Sequence, residues 1–381
     1  MDAKQQKMQK SRERILAAIR NEKPDRTPLL LGGEIAFAKY ADPSVVAADF
    51  VERPLWAIDK AVEGLDKLKY ADYVWAVGLP LVFFSSTWMS KIKMPGRELG
   101  RDELWQIAEH PCMQEEDYDL ILKKGWLSYY NSYMEKNLGV TEEDMQAGMQ
   151  QIMYSNQKNL ESGLAILNQY NMAAIYDRLC AIRGMINFAR DMRKMPEKVR
   201  AVMDVMLEEE MVQANTVLGQ LQATLGEGNF IVFVQPGVRG NSDFISRKQF
   251  EMFNWPAFKM QTEAILKAGG NVFFHMDGNW NTFLDYFKEF PKGRCIFDSD
   301  GMTDIYKVKE VLGDTMCITG NFGSSLMAMA NPDEVYATVK KQIEDIGSDG
   351  GYIASTSCTM PPNAKPENME ALVAAVVETK I

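Results

Sequence analysis

Three side chains of the kinds that bind metal ions lie at or just after two apolar runs in this sequence. His275 and Asp277 come directly after Asn271–Phe274, and Cys358 comes shortly after the second run, Gly351–Thr356. Side chains at positions i and i+2 of an extended chain project from one face, so His275 and Asp277 point the same way. We therefore expect a pair that can grip a metal ion, with Cys358 as a third candidate ligand. The alternative is a capped strand end at which the histidine and the aspartate only form hydrogen bonds.

The C-terminal half of the chain alternates apolar strands with amphipathic helices, and these elements carry the three residues. The pattern predicts strands at Phe230–Gln235, Asn271–His275, Arg294–Phe297, Met316–Thr319 and Gly351–Thr356, and helices at Arg247–Lys267, Trp280–Phe287, Ile305–Leu312, Asp333–Ile346 and Glu367–Val377. Repeated strand–helix pairs are typical of a parallel sheet. Earlier strands are predicted at Pro28–Glu34, Tyr73–Val77 and Ala173–Tyr176.

About eight strands in all close a (β/α)8 TIM barrel, whose chemistry lies at the carboxyl ends of its strands. A doubly wound open sheet is the alternative, but the turn Gly32-Gly33-Glu34 lacks the G-x-G-x-x-G phosphate motif. The mostly polar residues 114–169 predict an N-terminal helical elaboration outside the barrel, within one domain over residues 1–381. The aromatic stretch Leu81–Lys93 predicts a β-rich excursion before it.

The overall composition excludes several classes of partner. The formal net charge is −10 with no basic block, which argues against a nucleic-acid groove or an anionic membrane surface. No apolar run is long enough to span a bilayer, and residues 1–20 lack the apolar centre of a secretory signal, so we expect a cytoplasmic protein. Five widely spaced cysteines without C-x-x-C indicate reduced thiols.

The sequence resembles the uroporphyrinogen decarboxylase superfamily, and within it the cobamide-dependent methyltransferases. The similarity covers most of the chain. Its motifs are Arg14–Ile19, Lys23–Pro28, Ile245-Ser246, His275–Asn279, Leu312-Gly313, Gly320-Asn321, Gly351–Ile353, Cys358–Pro362 and Glu367–Ala371. The later motifs are the more specific ones.

Two departures from the family pattern refine what the resemblance implies. The decarboxylases carry R-Q-A-G-R after the first strand, whereas this chain has Gly32–Phe37, which argues against decarboxylation of a porphyrinogen. The thiol-methylating members bind zinc through H-x-C and a distant cysteine, and the matching residues here are His275, Asp277 and Cys358. The resemblance thus implies Zn²⁺ on three protein ligands with an open position, as in catalytic zinc sites. A carboxylate in place of a thiolate leaves zinc a stronger Lewis acid, which suits an ether oxygen.

The resemblance implies a methyltransferase that moves a methyl group from an aromatic methyl ether to cob(I)alamin. The chain lacks the cobalamin-ligating D-x-H-x-x-G, so the corrinoid is expected on a separate corrinoid protein. One alternative is methyl transfer from a corrinoid protein to a thiol such as coenzyme M, and another is a non-catalytic barrel that binds a tetrapyrrole or corrinoid protein. A homodimer is left open.

Further candidates stand near the predicted strand ends. Glu34 is expected to ligate zinc or bind the departing hydroxyl, unless it is an ordinary solvated carboxylate. Asp298 and Asp300 are expected either to orient His275 or to cap a loop. Gln235 is a candidate for hydrogen bonding to substrate. Four aromatic side chains are expected either to line a substrate pocket or to belong to the core: Tyr73, Trp75, Phe84 and Trp88.

Overall fold

The computed structural model describes residues 2–74, 78, 80–165, 168–235 and 237–381. Within these residues, eight strands form one parallel sheet: β1 Leu29–Leu31, β2 Tyr73–Val74, β3 Asn168–Met172, β4 Ile231–Val234, β5 Asn271–Met276, β6 Cys295–Ser299, β7 Cys317–Thr319 and β8 Tyr352–Ser355. Their order is β2-β1-β8-β7-β6-β5-β4-β3. A parallel bridge between Tyr73 and Ala165 joins the two edges. The predicted (β/α)8 TIM-barrel fold is confirmed.

Helices surround the sheet and fill most of the remaining chain. The α-helices are Ala3–Ile19, Glu34–Ala41, Asp49–Glu52, Pro54–Leu68, Leu81–Trp88, Asp117–Lys124, Trp126–Tyr133, Glu142–Glu161, Ile175–Arg183, Met185–Lys194, Pro196–Leu225, Arg247–Gln249, Trp255–Lys267, Ile305–Leu312, Ser324–Met329, Pro332–Gln342 and Pro366–Glu378. Turns of π-helix follow at Met134–Leu138, Phe250–Asn254 and Ile343–Gly347, and a 3₁₀-helix spans Leu284–Glu289. None of the described helices is both long and apolar enough to cross a membrane.

Local sequence explains where several of these helices begin. Proline occupies the first turn of the helices Pro196–Leu225, Pro332–Gln342 and Pro366–Glu378. The fixed φ of proline suits that position, where its missing N–H has no helical partner. Asp304 caps the helix Ile305–Leu312 by accepting hydrogen bonds from two backbone N–H groups of its first turn.

Three predictions for the N-terminal half need correction. The stretch Leu81–Lys93 is not β-rich, because Leu81–Trp88 is a helix and only Lys91–Lys93 is a strand, paired antiparallel with Gln106–Ala108. The predicted strand at Ala173–Tyr176 is wrong, because the third barrel strand is Asn168–Met172 and the helix begins at Ile175. The helical elaboration at 114–169 therefore overlaps β3. Polar Asn168-Gln169 forms a strand because its neighbour β4 supplies a parallel partner, which outweighs local propensity.

An aromatic layer braces the outer face of β5, the strand that carries His275. The ring of Phe274 lies 5.0 Å from that of Phe258 and 5.5 Å from that of Phe287. All three side chains are buried. Each aromatic pair of this kind contributes about 1 kcal/mol beyond the burial of its area. The strand is thus held firmly from the helix side, and its other face is turned into the barrel.

Candidate metal centre

The candidate site lies one layer above the apolar interior of the barrel. The interior cluster contains Phe273 on β5, Ile296 on β6 and Ile353 on β8. Two residues further along the same strands are His275, Asp298 and Ser355, all buried. Because alternate side chains of a strand share a face, these polar groups point into the barrel at its carboxyl end. The ring of Phe233 lies 5.5 Å from that of His275.

The two nitrogens of His275 have different partners. Nδ1 donates to Oδ2 of Asp298 over 2.6 Å, and β5 and β6 pair these two residues side by side. An ionised carboxylate can only accept, so we assign a proton to Nδ1, and Nε2 is the nitrogen at which a metal ion would take the place of a proton. Nε2 lies 3.3 Å from Oδ1 of Asp277 and 4.0 Å from Sγ of Cys358. Two of the predicted ligands, Asp277 and Cys358, thus lie within 4.0 Å of a nitrogen of the third, His275.

The aspartate of this group is held by its neighbours on two sides. Nε2 of Gln235 donates to Oδ2 of Asp277 over 3.3 Å. The backbone oxygen of Asp277 accepts from Nε1 of Trp280 over 2.8 Å and from Nδ2 of Asn241 over 3.3 Å. Gln235 thus contacts a predicted ligand directly. Sequence reasoning missed Asn241, whose position in a loop after β4 gave no periodic signal.

The two aspartates at the carboxyl end of β6 have separate roles. Asp298 contacts the histidine, and its other oxygen, Oδ1, is buried without a hydrogen-bond partner among the described residues. Asp300 instead accepts from the backbone N–H groups of Gly278 over 2.8 Å and Met302 over 2.9 Å. It therefore fixes the turn that follows Asp277. Of the two predicted alternatives, Asp298 fits the orienting role and Asp300 fits loop capping.

Burial and charge act against each other on the pKa values of this group. Burial by itself lowers the pKa of His275, but the charge of Asp277 and hydrogen bonds with Asp277, Asp298 and Cys358 raise it well above 6.5 overall. Burial raises the pKa of Asp277, and the neighbouring His275 brings it below its usual value. Burial keeps the pKa of Asp298 raised despite its hydrogen bond to the histidine. The group stabilises positive charge between its carboxylates, which is the electrostatic requirement of a cation site.

The donor set can be compared with the needs of zinc. Imidazole, carboxylate and thiolate are all zinc ligands, and tetrahedral bonds of ordinary length separate a nitrogen from an oxygen by about 3.3 Å and from a sulfur by about 3.6 Å. The observed 3.3 Å fits the first value, and the observed 4.0 Å exceeds the second by a few tenths of an ångström. Among the described residues, no three side chains of His, Cys, Asp or Glu lie close enough together to hold a metal ion as they stand. The donor types fit zinc, and the sulfur of Cys358 lies farther from Nε2 than two ligands of one zinc ion do.

The loop that carries Cys358 is tied to the first strand. The backbone N–H of Met360 donates to the oxygen of Gly32 over 2.8 Å, and Gly33 has a φ of +121°. A Cβ at Gly33 would lie 2.7 Å from Cβ of Met360, so glycine is required for this close approach. Glu34 begins the next helix, and burial raises the pKa of its carboxyl group. The tie therefore keeps Glu34 on the same side of the barrel as Cys358.

The aromatic candidates are less closely connected with the site. Phe84 lies in the helix Leu81–Trp88 and stacks on Trp105 with ring centres 4.3 Å apart. Tyr73 is buried in β2 and packs with the barrel interior. Trp75 lies outside the described residues. None of the five cysteines is paired in a disulfide.

Comparison with known proteins agrees with the barrel and with its C-terminal motifs. A family model described as uroporphyrinogen decarboxylase (URO-D) matches residues 173–379, more than half of the 381 residues. The chain is 23% identical over 129 residues to a uroporphyrinogen decarboxylase from Dichelobacter nodosus, which covers 34% of this chain and 36% of that protein. It is 30% identical over 77 residues to one from Vesicomyosocius okutanii, which covers 20% and 22%. The aligned segments thus span about a third or less of these relatives.

A solved structure shares the fold over nearly the whole chain. It is that of a methyltransferase from Methanosarcina mazei, with a TM-score of 0.66 and 16% identity, and the match covers 97% of this chain and 98% of that one. At this identity the likeness concerns the fold. With the family model matching more than half of its residues, including all three residues of the candidate centre, the chain belongs to the uroporphyrinogen decarboxylase family.

Proposed function

We propose that this chain is a zinc-dependent methyltransferase that demethylates aromatic methyl ethers and passes the methyl group to the cob(I)alamin of a separate corrinoid protein. The observation that carries the proposal is the meeting of Asp277 and Cys358 at Nε2 of His275, with Nδ1 held by Asp298. The whole-chain likeness to a solved methyltransferase supports the same class of reaction. The missing R-Q-A-G-R segment argues against decarboxylation in this member of the family.

His275, Asp277 and Cys358 would hold the zinc ion. When bound, the ion supplies a Lewis acid for the oxygen that leaves the methyl group. Asp298 accepts a hydrogen bond from Nδ1 of His275 and so keeps Nε2 directed at the site. Gln235 restrains the Asp277 carboxylate through its hydrogen bond to Oδ2. The chain's own residues thus orient the ligand set before any substrate arrives.

Glu34 is the candidate for binding the departing hydroxyl. Its partly buried carboxyl group has a raised pKa, so it retains a proton more readily than an exposed glutamate. A protonated carboxyl group near the leaving oxygen can donate a hydrogen bond to it. Phe84 and Trp75 are proposed as walls for the aromatic ring of the substrate.

Two assays test the reaction and its direction. Wild-type protein with free cob(I)alamin should convert guaiacol to catechol, or vanillate to 3,4-dihydroxybenzoate, with formation of methylcobalamin, and His275→Ala should lose this activity together with its zinc. Loss of methylcobalamin that depends on an added thiol would instead support the thiol methyltransferase. Purified protein without stoichiometric zinc, and unchanged behaviour of His275→Ala, would contradict both enzymatic functions and favour a barrel that only binds a corrinoid protein or tetrapyrrole.

A further inference from the structure

A buried carboxylate outside the candidate centre, that of Asp177, holds the loop that reaches the centre. Asp177 follows β3 in the helix Ile175–Arg183, and only 4% of the residue is exposed. Oδ1 accepts from the backbone N–H of Arg239 over 3.0 Å, and Oδ2 accepts from the N–H of Val238. Both oxygens therefore bind one short segment, residues 237–242, which we call the β4 loop.

The first residue of the β4 loop, Gly237, lies against Asp177 in a backbone conformation that favours glycine. Gly237 has a φ of +119°, and a Cβ there would lie 3.0 Å from Oδ1 of Asp177. The guanidinium of Arg239 forms an ion pair with Glu109 and lies close enough to Asp177 to offset part of the cost of burying its charge. Three successive residues of the β4 loop, Gly237, Val238 and Arg239, thus approach the Asp177 carboxylate.

The C-terminal end of the β4 loop contacts the backbone of Asp277 and of the turn that follows it. Nδ2 of Asn241 donates to the oxygen of Val238 over 2.7 Å and to the oxygen of Asp277 over 3.3 Å. Oγ of Ser242 donates to the oxygen of Asn279 over 2.6 Å. A continuous chain of hydrogen bonds therefore runs from Asp177 through Val238 and Asn241 to the backbone of Asp277.

We propose that Asp177 is a positioning residue of the centre, which fixes the backbone of Asp277 through the β4 loop. The part of this proposal that concerns metal affinity rests on the proposed zinc function. Asparagine is the sharpest substitution, because an amide offers one acceptor oxygen and one NH₂ group. In Asp177→Asn one of the two loop N–H groups would face a donor instead of an acceptor.

The experiment compares Asp177→Asn with Asp191→Asn as a matched control. Asp191 is equally buried, accepts from Nε of Arg183 over 2.6 Å and from Tyr118 over 3.1 Å, and does not contact the β4 loop in any described interaction. The first readout is Co²⁺ affinity together with the absorption spectrum of the Co²⁺ form. The second is the ring NMR signals of His275 in metal-free protein, with His110, the other of the two histidines, as internal reference.

We expect Asp177→Asn to weaken Co²⁺ binding about 10-fold and to shift the His275 ring signals. Losses of this size are typical when a residue that orients a metal ligand is replaced. Asp191→Asn should change neither. If Asp177→Asn does not fold, Gly237→Ala perturbs the same contact while it keeps the carboxylate. Wild-type Co²⁺ affinity and unshifted His275 signals in whichever variant folds would overturn the proposal. If wild-type protein binds no metal, the zinc function fails, and the His275 signals alone decide the positioning role.

Discussion

Asp298→Asn tests whether the buried carboxylate behind His275 sets the strength of metal binding. The 2.6 Å contact joins Nδ1 to an acceptor on a side chain that is 1% exposed. A hydrogen bond to a charged group contributes roughly 1.5–3 kcal/mol. Asparagine keeps an acceptor oxygen for Nδ1 but removes the charge, which accounts for roughly half of this energy. At about 1.4 kcal/mol for each factor of ten, the substitution weakens binding about 3–10-fold, which is at or below the lower end of the roughly 10–100-fold losses typical of substitutions behind the histidine ligands of metal sites.

The assay is a competition for zinc between the protein and a chromophoric chelator at constant pH. Asp191→Asn serves as a control for the removal of a buried carboxylate remote from His275, and His275→Ala marks complete loss of the site. We predict affinities in the order wild type and Asp191→Asn, then Asp298→Asn, then His275→Ala. A zinc affinity of Asp298→Asn equal to that of wild type would refute the role given to this carboxylate.

Three further predictions concern the framework around the centre. Burial raises the pKa of Asp177 to about 6, so between about pH 4 and 6 the folded protein holds a proton that the unfolded chain releases. Urea titrations give the free energy of unfolding of wild type and of Asp177→Asn at each pH. The wild-type value minus the variant's should fall as the pH rises, by at most about 3 kcal/mol, and level off above pH 7. A difference independent of pH would contradict the raised pKa of Asp177. Gly33→Ala should destabilise the fold by about 1–3 kcal/mol and weaken zinc binding, because the new Cβ meets Met360 beside Cys358; unchanged chelator competition would show that the tie is dispensable. Asp72→Ala should cost about 3–5 kcal/mol in urea unfolding, because it leaves Arg14 and Arg26 without their shared buried partner, whereas a loss below 1 kcal/mol would place these charges among ordinary surface pairs.

The sequence was sufficient for the strands whose apolar runs are continuous. Residues Val272–Phe274 are buried on both faces of β5, so the run predicts a barrel strand whatever its neighbours are. β3 gave no such signal, because it begins with Asn168-Gln169 and owes its strand conformation to pairing with β4. The stretch Leu81–Trp88 misled in the opposite direction, since its aromatic residues favour strands in isolation but form a helix here.

The candidate site was predicted to the extent that its residues share a strand or a motif. His275 and Asp277 are two positions apart, and the period of an extended chain puts them together without further information. Asp298 and Gln235 could be identified as candidates from their places at strand ends, but their partners depend on which strands are neighbours. Asp177 and Asn241 could not be found, because they act through a loop whose conformation depends on contacts distant in sequence.

X-ray absorption at the zinc edge tests the central claim most directly. We predict one bound zinc with a single sulfur at about 2.3 Å and nitrogen or oxygen ligands at about 2.0–2.2 Å, with the sulfur contribution lost in Cys358→Ser. A purified chain that takes up no zinc, or a zinc shell whose sulfur survives in Cys358→Ser, would contradict it.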